Sequence, residues 1–114
     1  LIIAYSHCIA HGIDMRKGLD QQYLAVNSGH WPLMRFNPVL REANKNPFLL
    51  DSPRPRVPLR DYHKNELRFR MLANTHPDEA ERMLQLGQDQ VLRRFAEYEQ
   101  LASSDANMFA QGAR

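Results

Sequence analysis

LIIAYSHCIAHG, residues 1–12, is the stretch on which the reading of this chain turns. The apolar run Leu1–Tyr5 is rich in β-formers and gives way to a turn of small residues and histidines, His7 to Gly12. That pattern predicts a buried strand whose C-terminal end falls at Cys8. In open α/β sheets, ligands and cofactors gather at that end of a strand. Cys8 is the only cysteine, which makes it a candidate cofactor ligand or nucleophile. The plainer alternative is a small buried hydrophobe. A single strand cannot satisfy its own backbone donors and acceptors. The expected architecture is therefore α/β, with this chain as the C-terminal piece of a larger protein cut just before its last sheet strand.

Outward from that strand, Asp14 caps a helix expected to reach about Ser28, with Gly29 as its left-handed stop. Met15, Leu19, Tyr23 and Val26 share one face of it, and Gly18 weakens it by ~1 kcal/mol relative to alanine. Between His30 and Arg60 lie six of the seven prolines, so regular helix is not expected there beyond one turn at Val39–Ala43. Trp31, Leu33, Met34, Phe36, Phe48, Leu49 and Leu50 are too apolar for a free linker. An extended arm laid across another surface is expected, with a short strand at Leu33–Phe36. The last half reads as helix. Asp61 caps one to about Asn74, with Tyr62, Phe69 and Leu72 on one side and Glu66 paired to Arg70. Thr75-His76-Pro77-Asp78 starts another, with Thr75 as hydroxyl cap. Ala80, Leu84, Gly87, Val91, Phe95, Tyr98 and Ala102 line one face of a helix ~40 Å long, and a frayed tail follows Ser103.

Composition narrows the function. A formal charge of +2 is too small to argue for nucleic acid. No stretch approaches the roughly 18–20 apolar residues of a membrane span. One cysteine excludes an internal disulfide framework and suits a reducing, cytoplasmic compartment. Glycine-rich phosphate loops, GxSxG, HExxH and CxxC are all missing. Three constellations remain. His7, Cys8 and His11 are acceptable zinc ligands, but neighbours at a strand end point in opposite directions, and a fourth group is lacking. Cys8 with His7 or His11 as base would make a nucleophile, though no orienting acid is identifiable. Arg54, Arg56, Arg60, Lys64, Arg68 and Arg70 would bind an acidic partner or phosphate. Interleaved Asp51, Asp61 and Glu66 favour a solvated, mixed-charge surface instead.

Taken together, LIIAYSHCIAHG (1–12), QQYLAVNSGHWPLMRFNP (21–38) and NPFLLDS (46–52) resemble one family. They are similar to the C-terminal end of pyruvate:ferredoxin (flavodoxin) oxidoreductases of the nitrogen-fixation type. The resemblance covers essentially the whole chain and is strongest over residues 1–52. Met34 departs from it, standing where an aromatic residue is expected. The resemblance implies a large, cytoplasmic, homodimeric enzyme that decarboxylates pyruvate on thiamine diphosphate held with magnesium. It further implies electron transfer through 4Fe–4S clusters to ferredoxin or flavodoxin, with the acetyl group leaving on coenzyme A. The family's strand-end cysteine before the His-Gly turn ligates the cluster nearest the thiamine, and that position here is Cys8. Its partner cysteines and the thiamine and magnesium motifs are expected elsewhere in the parent polypeptide. Residues 1–30 would then end a thiamine-diphosphate-binding α/β domain, 31–60 form the proline-rich arm, and 61–114 a C-terminal helical extension serving packing and dimer contacts. Two alternatives stay open: a non-catalytic docking module with Cys8 as inert core, and a fragment of a cysteine-nucleophile hydrolase.

Overall fold

A computed structural model of the chain describes residues 1–105. The element order is α1 (Gly18–Asn27), β1 (Met34–Phe36), β2 (Phe48–Leu50), α2 (Leu59–His63), α3 (Leu67–Thr75) and α4 (Pro77–Ser103), with 3₁₀ segments at Ile9–His11, Met15–Lys17 and Pro38–Ala43. The mixed α/β character is as expected. The strand expected at residues 1–8 has no ladder partner among the described residues, and Leu1, Ile2 and Ile3 are exposed. The reason is elementary: strand hydrogen bonds need a neighbour, and among the described residues the sheet is β1 with β2 alone.

Asp14 does cap, but it caps the 3₁₀ turn that leads into α1, accepting the Arg16 amide at 3.1 Å. Gly29 adopts φ +75° as the left-handed stop. The face of α1 that turns inward is not the apolar one. Gly18, Gln21 and Ala25 are buried, whereas Leu19 and Tyr23 are 78% and 68% exposed. Gln21 is drawn inward by hydrogen bonds to the Tyr62 carbonyl and the Glu66 carboxylate. Gly18 is small for a reason, since a Cβ there would lie 2.2 Å from Nε2 of His7.

The arm behaves as its anchors require. β1 and β2 pair antiparallel in the register Met34–Leu50, Arg35–Leu49 and Phe36–Phe48. The hairpin packs β2 against α4, with the Phe48 and Tyr98 rings 6.1 Å apart. Asn46 crowns the end of α4, its Nδ2 donating to the carbonyls of Leu101, Ala102 and Ser104. These are carbonyls that a helix terminus leaves without partners.

The helix expected from Asp61 to Asn74 is broken in two. Glu66 is fully buried in extended geometry (φ −116°, ψ 125°) between α2 and α3. Asp61 is no cap: it lies in the first turn of α2 and pairs with Lys64. The first amide of α2, that of Leu59, is taken by Oε1 of Gln88 on α4 at 2.8 Å. Glu66 pairs with Arg68 rather than Arg70, whose Nη1 donates to the Lys64 carbonyl. Thr75 likewise caps nothing. It closes α3, its hydroxyl donating back to the Met71 carbonyl, while Pro77 opens α4 with Asp78 and Glu79 in the first turn. The long face of α4 is as expected, with Val91 and Phe95 buried and Ala80, Leu84, Gly87, Tyr98 and Ala102 half-buried. Part of the expected tail, residues 106–114, lies outside the described residues.

The core gathers Ala25, Leu59, Tyr62 and Val91, with Tyr5, Leu24, Trp31, Phe69 and Leu84 packed around them. Gly29 sits against it, where a Cβ would lie 2.6 Å from Cγ1 of Val91 and 2.8 Å from Cγ of Pro55. Gly29→Ala therefore combines an unfavourable positive φ with overpacking. The expected loss is about 2–4 kcal/mol of stability, read as a lower urea midpoint in the fluorescence of Trp31, the chain's single tryptophan. No helix among the described residues is long and apolar enough to cross a membrane.

Candidate functional site

Cys8 is exposed and closes the N-terminal side of the Ile9–His11 turn in extended geometry. Its Sγ accepts the Ala10 amide at 3.4 Å. Its carbonyl accepts the His11 amide at 3.0 Å, and Ile9 O takes the Gly12 amide at 2.9 Å. Gly12 ends the turn at φ +72°, and a Cβ there would fall 2.2 Å from Cβ of Leu67. Glycine at this position is thus required twice, by dihedral and by close approach. Cys8 presents an accessible sulfur on a small hydrogen-bonded turn, with one amide already directed at it.

The two histidines do not join the thiol. His7 turns inward onto Gly18, opposite to the exposed Cys8, as alternation along an extended segment requires. His11 faces α3, with Nδ1 4.0 Å from Oε1 of Glu66. Neither imidazole is a hydrogen-bond partner of Sγ, so no base is seated on the thiol. Among the described residues no three His, Cys, Asp or Glu side chains cluster to hold a metal ion. A cluster liganded by one thiolate from each of several segments asks less of this chain. An exposed sulfur with a turn amide on it fits that demand, because amides that hydrogen-bond to a metal-ligating group orient it and tune the centre.

Beside the turn lies a polar and aromatic network that sequence reading did not find. The Tyr5 and Tyr62 hydroxyls are 2.5 Å apart, and Arg68 reaches both through Nη2. Its Nε donates to Oε1 of Glu66 at 2.5 Å, and Gln21 donates to Oε2 at 2.9 Å. Burial works against the Glu66 charge, yet the hydrogen bonds from Gln21, Tyr62 and Arg68 outweigh it and hold the carboxyl below its ordinary value. Burial pushes the Tyr62 hydroxyl up, so it stays protonated. The signal available in the sequence was Glu66 two residues before Arg68, but helical spacing favoured Arg70 as the partner.

His30 stacks on Tyr62 with ring centres 4.3 Å apart and meets Tyr5 edge-on at 5.6 Å. Burial first, then the nearby positive charges of His63 and Arg68, lower its pKa to about 4. The folded form therefore binds fewer protons than the unfolded chain between the ordinary histidine value, 6.5, and about 4. Stability is complete above that window and is lost as pH falls through it. His63, also lowered by burial, acts in the same direction. The urea midpoint is expected to drop between pH 7 and pH 5, and to drop less in a His30→Gln chain. Equal pH slopes in the two chains would contradict this assignment.

The basic residues are largely spent on partners. Arg54 pairs with Glu99, Arg60 with Glu81, Lys64 with Asp61 and Arg68 with Glu66. This is the mixed-charge surface expected, rather than an anion site.

No protein-family model matches the chain. Among curated proteins, it is 47% identical over 103 residues to pyruvate-flavodoxin oxidoreductase of Rhodospirillum rubrum, covering 90% of this chain and 8% of that protein. It is 46% identical over 103 residues to pyruvate-flavodoxin oxidoreductase of a Nostoc species, covering 90% of this chain and 9% of that protein. It is also 39% identical over 102 residues to pyruvate:ferredoxin oxidoreductase of Moorella thermoacetica, covering 90% and 9%. The chain thus spans under a tenth of the length of these relatives. The resemblance drawn from residues 1–52 is borne out over nine-tenths of the chain: it matches one small segment of enzymes bearing these names.

Proposed function

We propose that this chain is a segment of an enzyme that oxidatively decarboxylates pyruvate, with Cys8 as one thiolate ligand of a 4Fe–4S cluster. The supporting observation is the exposed Cys8 sulfur on a tight turn, with the Ala10 amide directed at it. When bound, such a cluster supplies one-electron transfer, here toward flavodoxin or ferredoxin. This chain's part is to hold one thiolate in place. The other ligands, the thiamine diphosphate and magnesium sites and the coenzyme A site belong to the rest of the parent polypeptide. Residues 1–30 carry the ligand turn at the end of a thiamine-diphosphate-binding α/β domain, 31–60 form the arm, and the described residues from 61 on form the helical extension. Leu1, Ile2, Ile3, Leu19 and Tyr23 are each exposed, which leaves apolar side chains for contact with the parent or a homodimer partner. A reducing, cytoplasmic setting suits a free thiol in this role. The decisive test is the cluster content of the full-length enzyme carrying Cys8→Ser, purified without oxygen. One cluster fewer supports the assignment, and an unchanged count overturns it.

A further inference from the structure

We propose that the segment Tyr62–Arg68 is a clamp that fixes the Cys8 turn, with Glu66 as its positioning residue. This rests on the reading of Cys8 as a cluster ligand. Both flanks of Cys8 are tied to that one segment. Three residues before it, the Tyr5 hydroxyl meets the hydroxyl of Tyr62 and Nη2 of Arg68. Three residues after it, Nδ1 of His11 lies 4.0 Å from the Glu66 carboxylate without a hydrogen bond, so the tie on this side is the next residue. Four residues after it, the Gly12 carbonyl accepts the Leu67 amide at 3.1 Å, and the two residues touch so closely that no Cβ fits on Gly12.

The clamp has a cost that helix formation alone would have avoided. Glu66 interrupts an otherwise continuous helical sequence and buries a carboxylate completely. A buried charge is tolerated only when it is paired and hydrogen-bonded, which Arg68 and Gln21 accomplish. Left in one helix, Glu66 would have faced Arg70 and the Leu67 amide would have been consumed within the helix. Breaking the helix frees that amide for Gly12 and lets the carboxylate hold Arg68 where it meets the Tyr5 hydroxyl. Because Cys8 itself is exposed and lies outside the core cluster, its position is set by these flanks. A rigidly supported ligand retains its metal centre better than a loosely held one.

The test uses the full-length enzyme purified anaerobically, with Glu66→Gln and separately Tyr5→Phe. Iron release to a ferrous chelator is followed cluster by cluster in the EPR spectrum, and hydrogen exchange is measured at the amides of Ala10, His11 and Gly12. The expected result for Glu66→Gln is about tenfold faster loss of the one cluster that Cys8→Ser removes. Other clusters should be unaffected, and the three turn amides should exchange faster. Tyr5→Phe should change both readouts in the same direction by less. Unchanged release and exchange in both variants overturn the clamp, and if Glu66→Gln does not yield folded enzyme, Tyr5→Phe decides alone. Should Cys8→Ser itself remove no cluster, the ligand reading fails, and faster exchange of the turn amides alone still upholds the mechanical clamp.

Discussion

On the proposed reading of Cys8 as a cluster ligand, serine in its place is expected to leave the full-length parent enzyme one cluster short and to lower the proposed pyruvate-dependent flavodoxin reduction by at least ~100-fold. Outer-shell partners of a metal centre already cost about 10–100-fold when removed, and a ligand costs more than its supports. The effect should be confined to electron transfer, because Cys8 is exposed and its only side-chain hydrogen bond among the described residues is the weak one from the Ala10 amide at 3.4 Å. Serine can accept that amide as well, so the turn should persist. Iron analysis, EPR of the dithionite-reduced enzyme and a flavodoxin-reduction assay check the three parts separately. A full complement of clusters with normal turnover would make Cys8 a bystander. Loss of all clusters together would point to collapse rather than to a missing ligand. Alanine should behave as serine does if the sulfur alone matters.

The second large effect is on stability. Tyr62 has no exposed surface and lies in the core with Ala25, Leu59 and Val91. His30 and Phe69 flank its ring, and its hydroxyl joins Tyr5 and Arg68. Tyr62→Ala removes a buried ring and leaves a cavity, at an expected cost of about 3–5 kcal/mol. Domains of this size are stable by only about 5–15 kcal/mol, so a large share of the folded margin goes. Tyr62→Phe keeps the ring and deletes the hydroxyl, and should cost about 1 kcal/mol. Urea titrations followed by Trp31 fluorescence would show this ordering. A Tyr62→Ala midpoint as high as that of Tyr62→Phe would mean that the ring is not where the packing energy resides.

Much of this architecture was legible in single residues with local jobs. Gly29 stopped α1 because a positive φ favours glycine wherever the chain goes next. Pro77 with Asp78 and Glu79 opened α4, since that preference is set within one turn. The stripe from Ala80 to Ala102 marked the buried side of α4 because its period is that of the helix. Elsewhere local rules and long-range partners competed, and the partners won. Thr75 has a cap's chemistry but the helix started two residues later, at a proline. Glu66 has the spacing for Arg70, yet a buried site lined by Gln21 and Arg68 gave it better partners and ended the helix. The apolar stripe of α1 faced out because the inward side had to accommodate Gln21 and the His7 ring.

The candidate site divides in the same way. From sequence alone came Cys8, its position before a His-Gly turn, and the family resemblance carried by residues 1–52. These rest on residue identity and near neighbours, which a linear reading contains. Only the tertiary structure decided that Cys8 is exposed, that His7 and His11 turn away from it, and that both its flanks are held by residues about 57 positions later. Contacts of that separation leave no periodic trace in the chain. They depend on which buried polar groups find partners, and that is settled only when the helices pack.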